Sequence, residues 1–266
     1  MLTIKNYVRA ESLQQAYELN QNKSNRVIGG MLWLKMTSLT LNTAIDLSDL
    51  GLNTIEETAE EFSIGAMVTL RQLELHPGLN AYSQGTVAKA AEDIVGVQFR
   101  NMATVGGSLF GRFGFSDVLT VFLAMDTYVE LYKGGLVPLE DFAQTEPDRD
   151  ILIRVIVKKR PGVFSYQAMR NSRTDFPVLT CAASRIEGAY RAVIGARPMR
   201  AMVLRDEEGL LADGINADSA RVFADYAAAH VPTGENVRGS ADYRTRLVRV
   251  LTRRALMEMG GQEHGN

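Results

Sequence analysis

The chain has 266 residues, which is enough for two or three compact units that each bury a core of their own. Its formal net charge is −2 and its sequence pI is about 6.0, so no basic excess predicts binding to nucleic acid or to an anionic membrane. The N-terminal residues lack the apolar core of a signal peptide, and no apolar run is long enough to span a bilayer, which predicts a soluble, cytoplasmic protein.

The first predicted unit spans residues 1–53 and mixes helix and strand. Its predicted elements are a helix over residues 12–21, a strand over 25–28 and a strand over 41–47. The first of these strands runs directly into Gly29 and Gly30. The pattern therefore predicts a small α+β unit in which a glycine pair follows a strand.

The second predicted unit spans residues 54–160. Its predicted elements are a strand over 62–66, helices over 70–75, 86–97 and 118–125, and strands over 127–132 and 151–157. Apolar residues of the segment 86–97 recur at helical spacing, which predicts one continuous helix. That helix would deliver the chain to a glycine-rich turn.

The third predicted unit spans residues 161–266. Its predicted elements are strands over 178–186 and 190–196 and helices over 219–230 and 241–259. Glu187 and Gly188 separate the two strands and indicate a hairpin. The last helix carries several arginines between apolar residues, which favours a solvated face over nucleic-acid binding: Arg244, Arg246, Arg249, Arg253 and Arg254.

The glycine-rich turn is the most informative stretch of the chain. It runs from Arg100 to Leu109 with the sequence RNMATVGGSL, and Ser116 and Asp117 follow it. Glycine lacks Cβ and accepts positive φ, so backbone N–H groups can approach a phosphate or a flat ring closely. Thr104 would add a hydroxyl donor, and Asp117 would accept from a ribose or ribityl hydroxyl. A tight turn is the alternative for the glycines, and a helix N-cap is the alternative for Asp117 or Ser116.

Two common nucleotide motifs do not fit this stretch. Gly106 and Gly111 have the spacing of a P-loop, but Arg112 and Phe113 stand where lysine and serine or threonine are required. No Gly-x-Gly-x-x-Gly follows a predicted strand, so a Rossmann domain is poorly supported. A nucleotide bound here would need another scaffold.

The cysteine and the histidines predict no metal site. Cys181 is the single cysteine and lies in the apolar run 176–183, which is typical of a small buried core residue. An iron–sulfur cluster usually needs four thiolates. His76, His230 and His264 are scattered along the chain. Any metal chemistry is therefore expected on another chain.

Three segments share their order and spacing with one protein family. The first is Arg-Asn-x-Ala-Thr-x-Gly-Gly-Ser at 100–108 with Ser-Asp at 116–117, and the second is Arg-Val-Ile-Gly-Gly-Met-Leu at 26–32. The third begins with Gly-Ser-Ala-Asp-Tyr-Arg and covers 239–256. Together they resemble the flavin loop, the pyrophosphate loop and the C-terminal helix of the FAD-binding, medium subunits of molybdenum hydroxylases, the family of xanthine dehydrogenase and carbon monoxide dehydrogenase.

This resemblance implies the fold and the cofactor. It implies an α+β protein with a two-subdomain FAD-binding fold of the vanillyl-alcohol-oxidase/molybdenum-hydroxylase flavoprotein type (1–53 and 54–160) and a C-terminal α+β domain (161–266). FAD would lie extended between the first two units. The cofactor-binding residues that it implies are Val27, Ile28, Gly29, Gly30, Met31, Leu32, Ala103, Thr104, Val105, Gly106, Gly107, Ser108, Ser116, Asp117, Ile151 and Tyr166. No catalytic residue and no metal ligand is predicted in this chain.

The chain departs from the family pattern at three places, one of which is Ser108, where the family usually has asparagine. Met31 and Leu32 replace the usual Thr-Asp, which removes side-chain hydrogen bonds but leaves the backbone donors. No lysine occurs between residues 161 and 199, where relatives often place one near the isoalloxazine ring. Arg170 and Arg173 are the candidate substitutes for that charge.

The resemblance also implies a function for the chain within a complex. A molybdopterin large subunit would oxidise the substrate, iron–sulfur clusters on a small subunit would relay electrons, and FAD on this chain would collect them and pass them to NAD or another acceptor. This chain would thus be an oxidoreductase subunit. Two alternatives stay open: a stand-alone FAD-dependent oxidoreductase of related fold, and a non-catalytic FAD-binding module.

Overall fold

The protein is described here from a computed structural model that covers residues 1–263. His264, one of the histidines considered above, lies outside the described residues. Within the described chain, no helix combines the length and the apolar character needed to cross a membrane. Three sheets are found in this part of the molecule.

The N-terminal part is a parallel sheet with one helix. Its elements are β1 (Thr3–Arg9), α1 (Leu13–Asn20), β2 (Asn25–Ile28) and β3 (Thr40–Asp46). The strand order is β1-β3-β2, and both pairings are parallel. The predicted helix and both predicted strands are confirmed, with Ser12 as the N-cap of α1. Strand β1 was not predicted, because nearly all of its residues are exposed and its sequence shows no buried alternation.

The middle part has an antiparallel sheet covered by short helices. Its elements up to the glycine-rich stretch are β4 (Ile55–Glu57), β5 (Glu61–Gly65), α2 (Leu70–Leu75), α3 (Pro77–Tyr82), α4 (Thr86–Glu92) and α5 (Val97–Arg100). The following elements are α6 (Val105–Phe110), α7 (Asp117–Leu123), β6 (Thr127–Leu131), β7 (Gly135–Pro138), α8 (Leu139–Gln144) and β8 (Leu152–Lys158). The strand order is β4-β5-β8-β6-β7.

Two predictions for this part are wrong in detail. The helix predicted over 86–97 is broken into α4 and α5, because Val95 adopts a φ of 51°, which helical backbone cannot accommodate. The stretch predicted as a glycine turn begins helix α6 instead. Gly106 and Gly107 lie inside that helix, and neither has a positive φ.

The C-terminal part is a four-stranded antiparallel sheet with two long helices. Its elements are β9 (Gly162–Arg170), β10 (Pro177–Ile186), β11 (Ala189–Gly195), β12 (Met202–Arg205), α9 (Ala217–His230) and α10 (Ala241–Glu263). The order is β12-β11-β10-β9. The hairpin predicted at Glu187 and Gly188 is confirmed, since Ile186 pairs with Ala189 across it.

Strand β10 is buried on both faces, and this fixes the C-terminal sheet against the middle part. Cys181 packs in the core beneath α9 and α10, whereas Ala182 packs in the core of the middle part. Thr180 shares a 3.1 Å hydrogen bond with Thr120 of α7. Burial raises the pKa of the Cys181 thiol to about 12, as suits the predicted core residue.

The predicted solvated arginine face of the last helix needs one correction. Arg244 is only 1% exposed, because its guanidinium is enclosed by carbonyl groups. It donates to the Val178 carbonyl at 2.9 Å and the Gly234 carbonyl at 3.0 Å, and also to the Asn236 side chain. The sequence pattern could not show this, because the acceptors lie in strand β10 and in the connection between α9 and α10, outside the helix itself.

Buried contacts cross the predicted unit boundaries. Ile151 packs with Ile45 in the small N-terminal core, and Tyr166 packs in the large core of the middle part. The limits 1–53, 54–160 and 161–266 therefore stay predictions. What the packing does establish is a cleft at which segments from all three predicted units meet.

Candidate functional site

A cavity of about 470 Å³ lies where these segments meet. Its walls come from the β2–β3 connection, from helices α5 to α7 and from the β9–β10 connection. Twelve of the sixteen residues predicted to bind a cofactor line it: Val27, Ile28, Gly29, Gly30, Met31, Leu32, Ala103, Thr104, Gly107, Ser108, Ser116 and Asp117. The fold thus brings together two motifs that are about seventy residues apart in the sequence.

The remaining four predicted residues lie outside the cavity wall. Val105 is fully buried beneath it, and a Cβ on Gly106 would lie 2.7 Å from the Ala66 carbonyl oxygen. Ile151 belongs to the N-terminal core. Tyr166 does not line the cavity, but its hydroxyl donates to Asp117, which does.

The glycine pair after β2 is required by close contact between two loops. A Cβ on Gly30 would lie 1.9 Å from the Met102 carbonyl oxygen, and one on Gly29 would lie 2.6 Å from Thr104 Oγ1. The positive φ in this segment occurs at Met31, at 60°, and not at a glycine. The two glycines therefore allow the backbones of two loops to come close to each other. The sequence had suggested instead that glycines allow the backbone to come close to a ligand.

Several backbone donors in this segment have no protein acceptor in the described part of the chain. Within the described residues, no protein acceptor is bonded to the N–H groups of Gly30, Met31 or Leu32. Successive N–H groups around a residue with positive φ form a concavity that binds anions. The Gly30–Leu32 segment is therefore a candidate anion site in which backbone donors remain although Met31 and Leu32 replace the usual Thr-Asp.

The start of helix α6 offers fewer free donors than expected. The Val105 N–H donates to the Val68 carbonyl and the Gly106 N–H to the Ala66 carbonyl, both at 2.8 Å. Thr104 is the N-cap, and its Oγ1 accepts from the Gly107 N–H at 3.1 Å. The helix terminus is therefore satisfied by protein, and the free donors lie in the Gly30–Leu32 segment.

Asp117 also lines the cavity and takes part in a buried ion pair. Its Oδ1 accepts from Arg170 Nη2 at 2.6 Å and from the Tyr166 hydroxyl. The two charged side chains are only 6% and 8% exposed. Burial raises the pKa of Asp117, and the Arg170 charge and the Tyr166 hydroxyl oppose that rise. The same burial, together with the Asp117 charge, raises the pKa of Tyr166 well above its usual value.

The capping role weighed for Asp117 belongs to Ser116. The Ser116 hydroxyl accepts from the Leu119 N–H at 3.1 Å and donates to the Ser108 carbonyl at 2.9 Å. It therefore caps α7 and ties it to α6. Asp117 is the first residue of α7, and its carboxylate is free for the ion pair.

Of the two arginines proposed to replace the family lysine, the structure brings one to the cavity. Arg170 lines the wall and also donates to the Asp175 carbonyl at 2.7 Å. Arg173 pairs with Asp93 at 2.8 Å, and its side chain is 79% exposed. Arg173 does not line the cavity.

Sequence reasoning missed the apolar lining of the cavity. Aromatic rings from separate segments contribute to it: Trp33, Phe99, Phe113, Phe115 and Phe176. Ile94 and Val95, from the break between α4 and α5, line it as well. Ile94 and Val95 were missed because the sequence predicted a continuous helix there, and the aromatic residues meet only through the tertiary fold.

Comparison with known proteins identifies the family. The sequence family described as "FAD binding domain in molybdopterin dehydrogenase" matches residues 2–159, which is more than half of the chain. The chain belongs to this family. The resemblance drawn from the three motifs is thereby confirmed, and the chain is an FAD-binding subunit of the molybdopterin dehydrogenase type.

Relatives and solved structures extend the match over the whole length. The chain is 26% identical to the nicotine 6-hydroxylase medium subunit of Paenarthrobacter nicotinovorans, over 96% of this chain and 97% of that one. A chain of quinoline 2-oxidoreductase from Pseudomonas putida 86 superposes with a TM-score of 0.86 at 21% identity, covering 97% of both chains. A chain of carbon monoxide dehydrogenase from Hydrogenophaga pseudoflava gives a TM-score of 0.84 at 22% identity, also covering 97% of both. The predicted α+β flavoprotein fold is confirmed by these superpositions.

Proposed function

We propose that this chain holds FAD in the cavity described above, receives electrons from iron–sulfur clusters on a small partner chain, and passes them to NAD. The observation that carries the proposal is the pairing of free backbone donors at Gly30 to Leu32 with the buried Asp117–Arg170 pair in one cavity. The volume of about 470 Å³ lies within the usual range for cofactor sites.

In this proposal the N–H groups of Gly30, Met31 and Leu32 donate to the pyrophosphate. These donors have no protein acceptor among the described residues, and successive N–H groups beside a residue with positive φ, here Met31, commonly bind anions. Hydrogen bonds to a charged phosphate are stronger than those between neutral groups. Backbone donors thus replace the side chains that Thr-Asp would provide.

Asp117 and its neighbours hold the ribityl–flavin half of the cofactor. Both side-chain donors to Asp117 bond Oδ1, so Oδ2 is left to accept from a ribityl hydroxyl. Tyr166 donates its hydroxyl to Asp117 and lies outside the cavity lining, so it holds the carboxylate in place without contacting the cofactor itself. Thr104, Gly107 and Ser108 also line the cavity.

Arg170 supplies the positive charge that the missing lysine would give. Bound FAD supplies the two-electron chemistry, and the protein tunes it through the charges and hydrogen bonds around the ring. Arg170 is held by two contacts, at Asp117 and at the Asp175 carbonyl, so its charge stays beside the cavity. No protein side chain is needed as a nucleophile or a general base.

The other cofactors belong to partner chains in this proposal. The nicotine 6-hydroxylase relative is named a medium subunit, and the glyceraldehyde dehydrogenase and carbon monoxide dehydrogenase relatives are named medium chains. A single cysteine cannot supply the four ligands that an iron–sulfur cluster usually needs, so the clusters belong to another chain in this proposal. The word medium in these names implies a small and a large subunit, to which we assign the clusters and molybdopterin respectively. The cytoplasmic location stays a prediction from the sequence.

Denaturing the purified, flavin-loaded protein is expected to release intact FAD. None of the described residues that line the cavity is a cysteine or a histidine, so no such side chain is placed there for a covalent flavin bond. The measurement is chromatography of the supernatant after acid precipitation, with the pellet checked for flavin absorbance. Flavin retained on the polypeptide, or release of a different nucleotide, would contradict the proposal.

The acceptor is tested separately from FAD binding. The flavin of the FAD-loaded chain is first reduced under anaerobic conditions. The chain is then mixed with NAD, and the recovery of the absorbance of oxidised flavin is recorded. Reoxidation by NAD supports the proposed acceptor. Reoxidation by a quinone but not by NAD would exclude NAD as the electron acceptor, whereas the assignment of FAD as the cofactor would still stand.

A further inference from the structure

Three aromatic side chains meet at the mouth of the cavity. Trp33 follows the glycine pair, Phe115 precedes helix α7, and Phe176 lies between β9 and β10. The ring centroids of Trp33 and Phe176 are 5.1 Å apart, those of Phe115 and Phe176 are 4.9 Å apart, and those of Trp33 and Phe115 are 6.4 Å apart. These distances are typical of favourable aromatic pairs. We call these three residues the aromatic cap.

The aromatic cap lies between the cavity and solvent. All three residues line the cavity, yet Trp33 is 42% exposed and Phe115 is 36% exposed. A side chain that both lines a cavity and contacts solvent is at its opening. The three rings therefore close part of this opening by contacts between segments that are distant in sequence.

The backbone beside the aromatic cap is irregular. Trp33 and Phe176 each lie two residues after a non-glycine residue with positive φ, which is Met31 at 60° and Thr174 at 73°. Neither ring is on a strand or an α-helix. Such segments can shift without breaking sheet hydrogen bonds, and unusual backbone of this kind occurs often at ligand clamps.

We propose that the aromatic cap is a gate for FAD, in which the ring contacts of Trp33 with Phe115 and Phe176 must separate before the cofactor enters or leaves. The inference rests on the proposed function, since it assumes that FAD occupies the cavity. If the closed arrangement dominates, the observed rate of FAD association is reduced by the fraction of molecules that are open. Two aromatic contacts of ordinary strength shift that fraction by roughly tenfold.

The test measures FAD association and dissociation rates by stopped-flow flavin fluorescence, with protein stripped of its flavin. For Trp33→Ala, both rates are expected to rise on the order of tenfold, so that the Kd changes by much less than either rate. Phe176→Ala removes the contact of Trp33 with Phe176 but leaves that with Phe115, so its rates should rise by less than those of Trp33→Ala. The double variant should match Trp33→Ala, because that change already removes both contacts. Trp33→Phe keeps a ring and should stay within about twofold of wild type.

Leu136→Ala is the matched control, because Leu136 is 53% exposed on β7 and does not line the cavity. Its rates should equal those of wild type. A higher dissociation rate for Trp33→Ala with unchanged association would show a simple contact and overturn the gate, as would two unchanged rates. Failure of the wild-type chain to bind FAD would overturn the proposed function and the gate together, whereas binding without rate changes would overturn the gate alone.

Discussion

Asp117→Ala is expected to destabilise the folded protein by about 3–5 kcal/mol. The change removes one partner of a buried ion pair and leaves the Arg170 guanidinium without a charge partner, which is the costly case for buried charges. It also leaves the buried Tyr166 hydroxyl without its acceptor. The measurement is the free energy of unfolding of flavin-free protein, obtained from urea denaturation.

The control for this experiment is an exposed ion pair. Asp93 pairs with Arg173, whose side chain is 79% exposed, so Asp93→Ala should cost about 1 kcal/mol or less. Ser116 remains the N-cap of α7 in both variants, so neither variant loses stability through a missing helix cap. Equal free energies of unfolding for the two variants would show that the buried Asp117–Arg170 pair stabilises the protein no more than the exposed Asp93–Arg173 pair does.

Gly30→Ala is expected to abolish FAD retention. The new Cβ would lie 1.9 Å from the Met102 carbonyl oxygen, so the two loops must separate by more than an ångström. That shift would move the free N–H groups of Met31 and Leu32 away from the cavity. Overpacking of this kind costs typically about 1–3 kcal/mol. Flavin content per chain after gel filtration, together with a thermal melt, measures both effects.

Gly261→Ala serves as the control, because a Cβ there would meet nothing within 4 Å and the residue lies in helix α10. It should retain FAD and gain up to about 1 kcal/mol of stability, since alanine favours helix. Full flavin content in Gly30→Ala would contradict the proposed position of the pyrophosphate. The sequence alone would favour Gly107 for this test, but a Cβ on Gly107 would meet only the Thr104 hydroxyl oxygen, at 3.1 Å.

The sequence predicted the fold well where a segment carries its own signal. The strand Asn25–Ile28 and the helix Leu70–Leu75 have the predicted bounds, and β10 was found from its long apolar run. The exposed strand β1 lacked any such signal. The break between α4 and α5 was missed because helical spacing of apolar residues continues across it, although Val95 has a positive φ.

Only those parts of the candidate site that carry a local sequence signal were predicted. Glycine pairs and the Ser116–Asp117 dipeptide are local motifs, and the fold does place them on one cavity wall. The ion pair of Asp117 joins residues 53 positions apart, and the aromatic cap joins three separate loops. Pairings of this kind depend on how sheets and helices pack, which no local pattern encodes.

The Gly30–Leu32 segment and Asp117 are proposed to hold the two halves of one FAD molecule. A crystal structure of the FAD-loaded chain tests this claim most directly. We expect pyrophosphate oxygens within about 3.2 Å of the N–H groups of Gly30, Met31 and Leu32, with a ribityl hydroxyl on Asp117. Pyrophosphate bound elsewhere, or a flavin ring remote from Asp117 and Arg170, would contradict the claim.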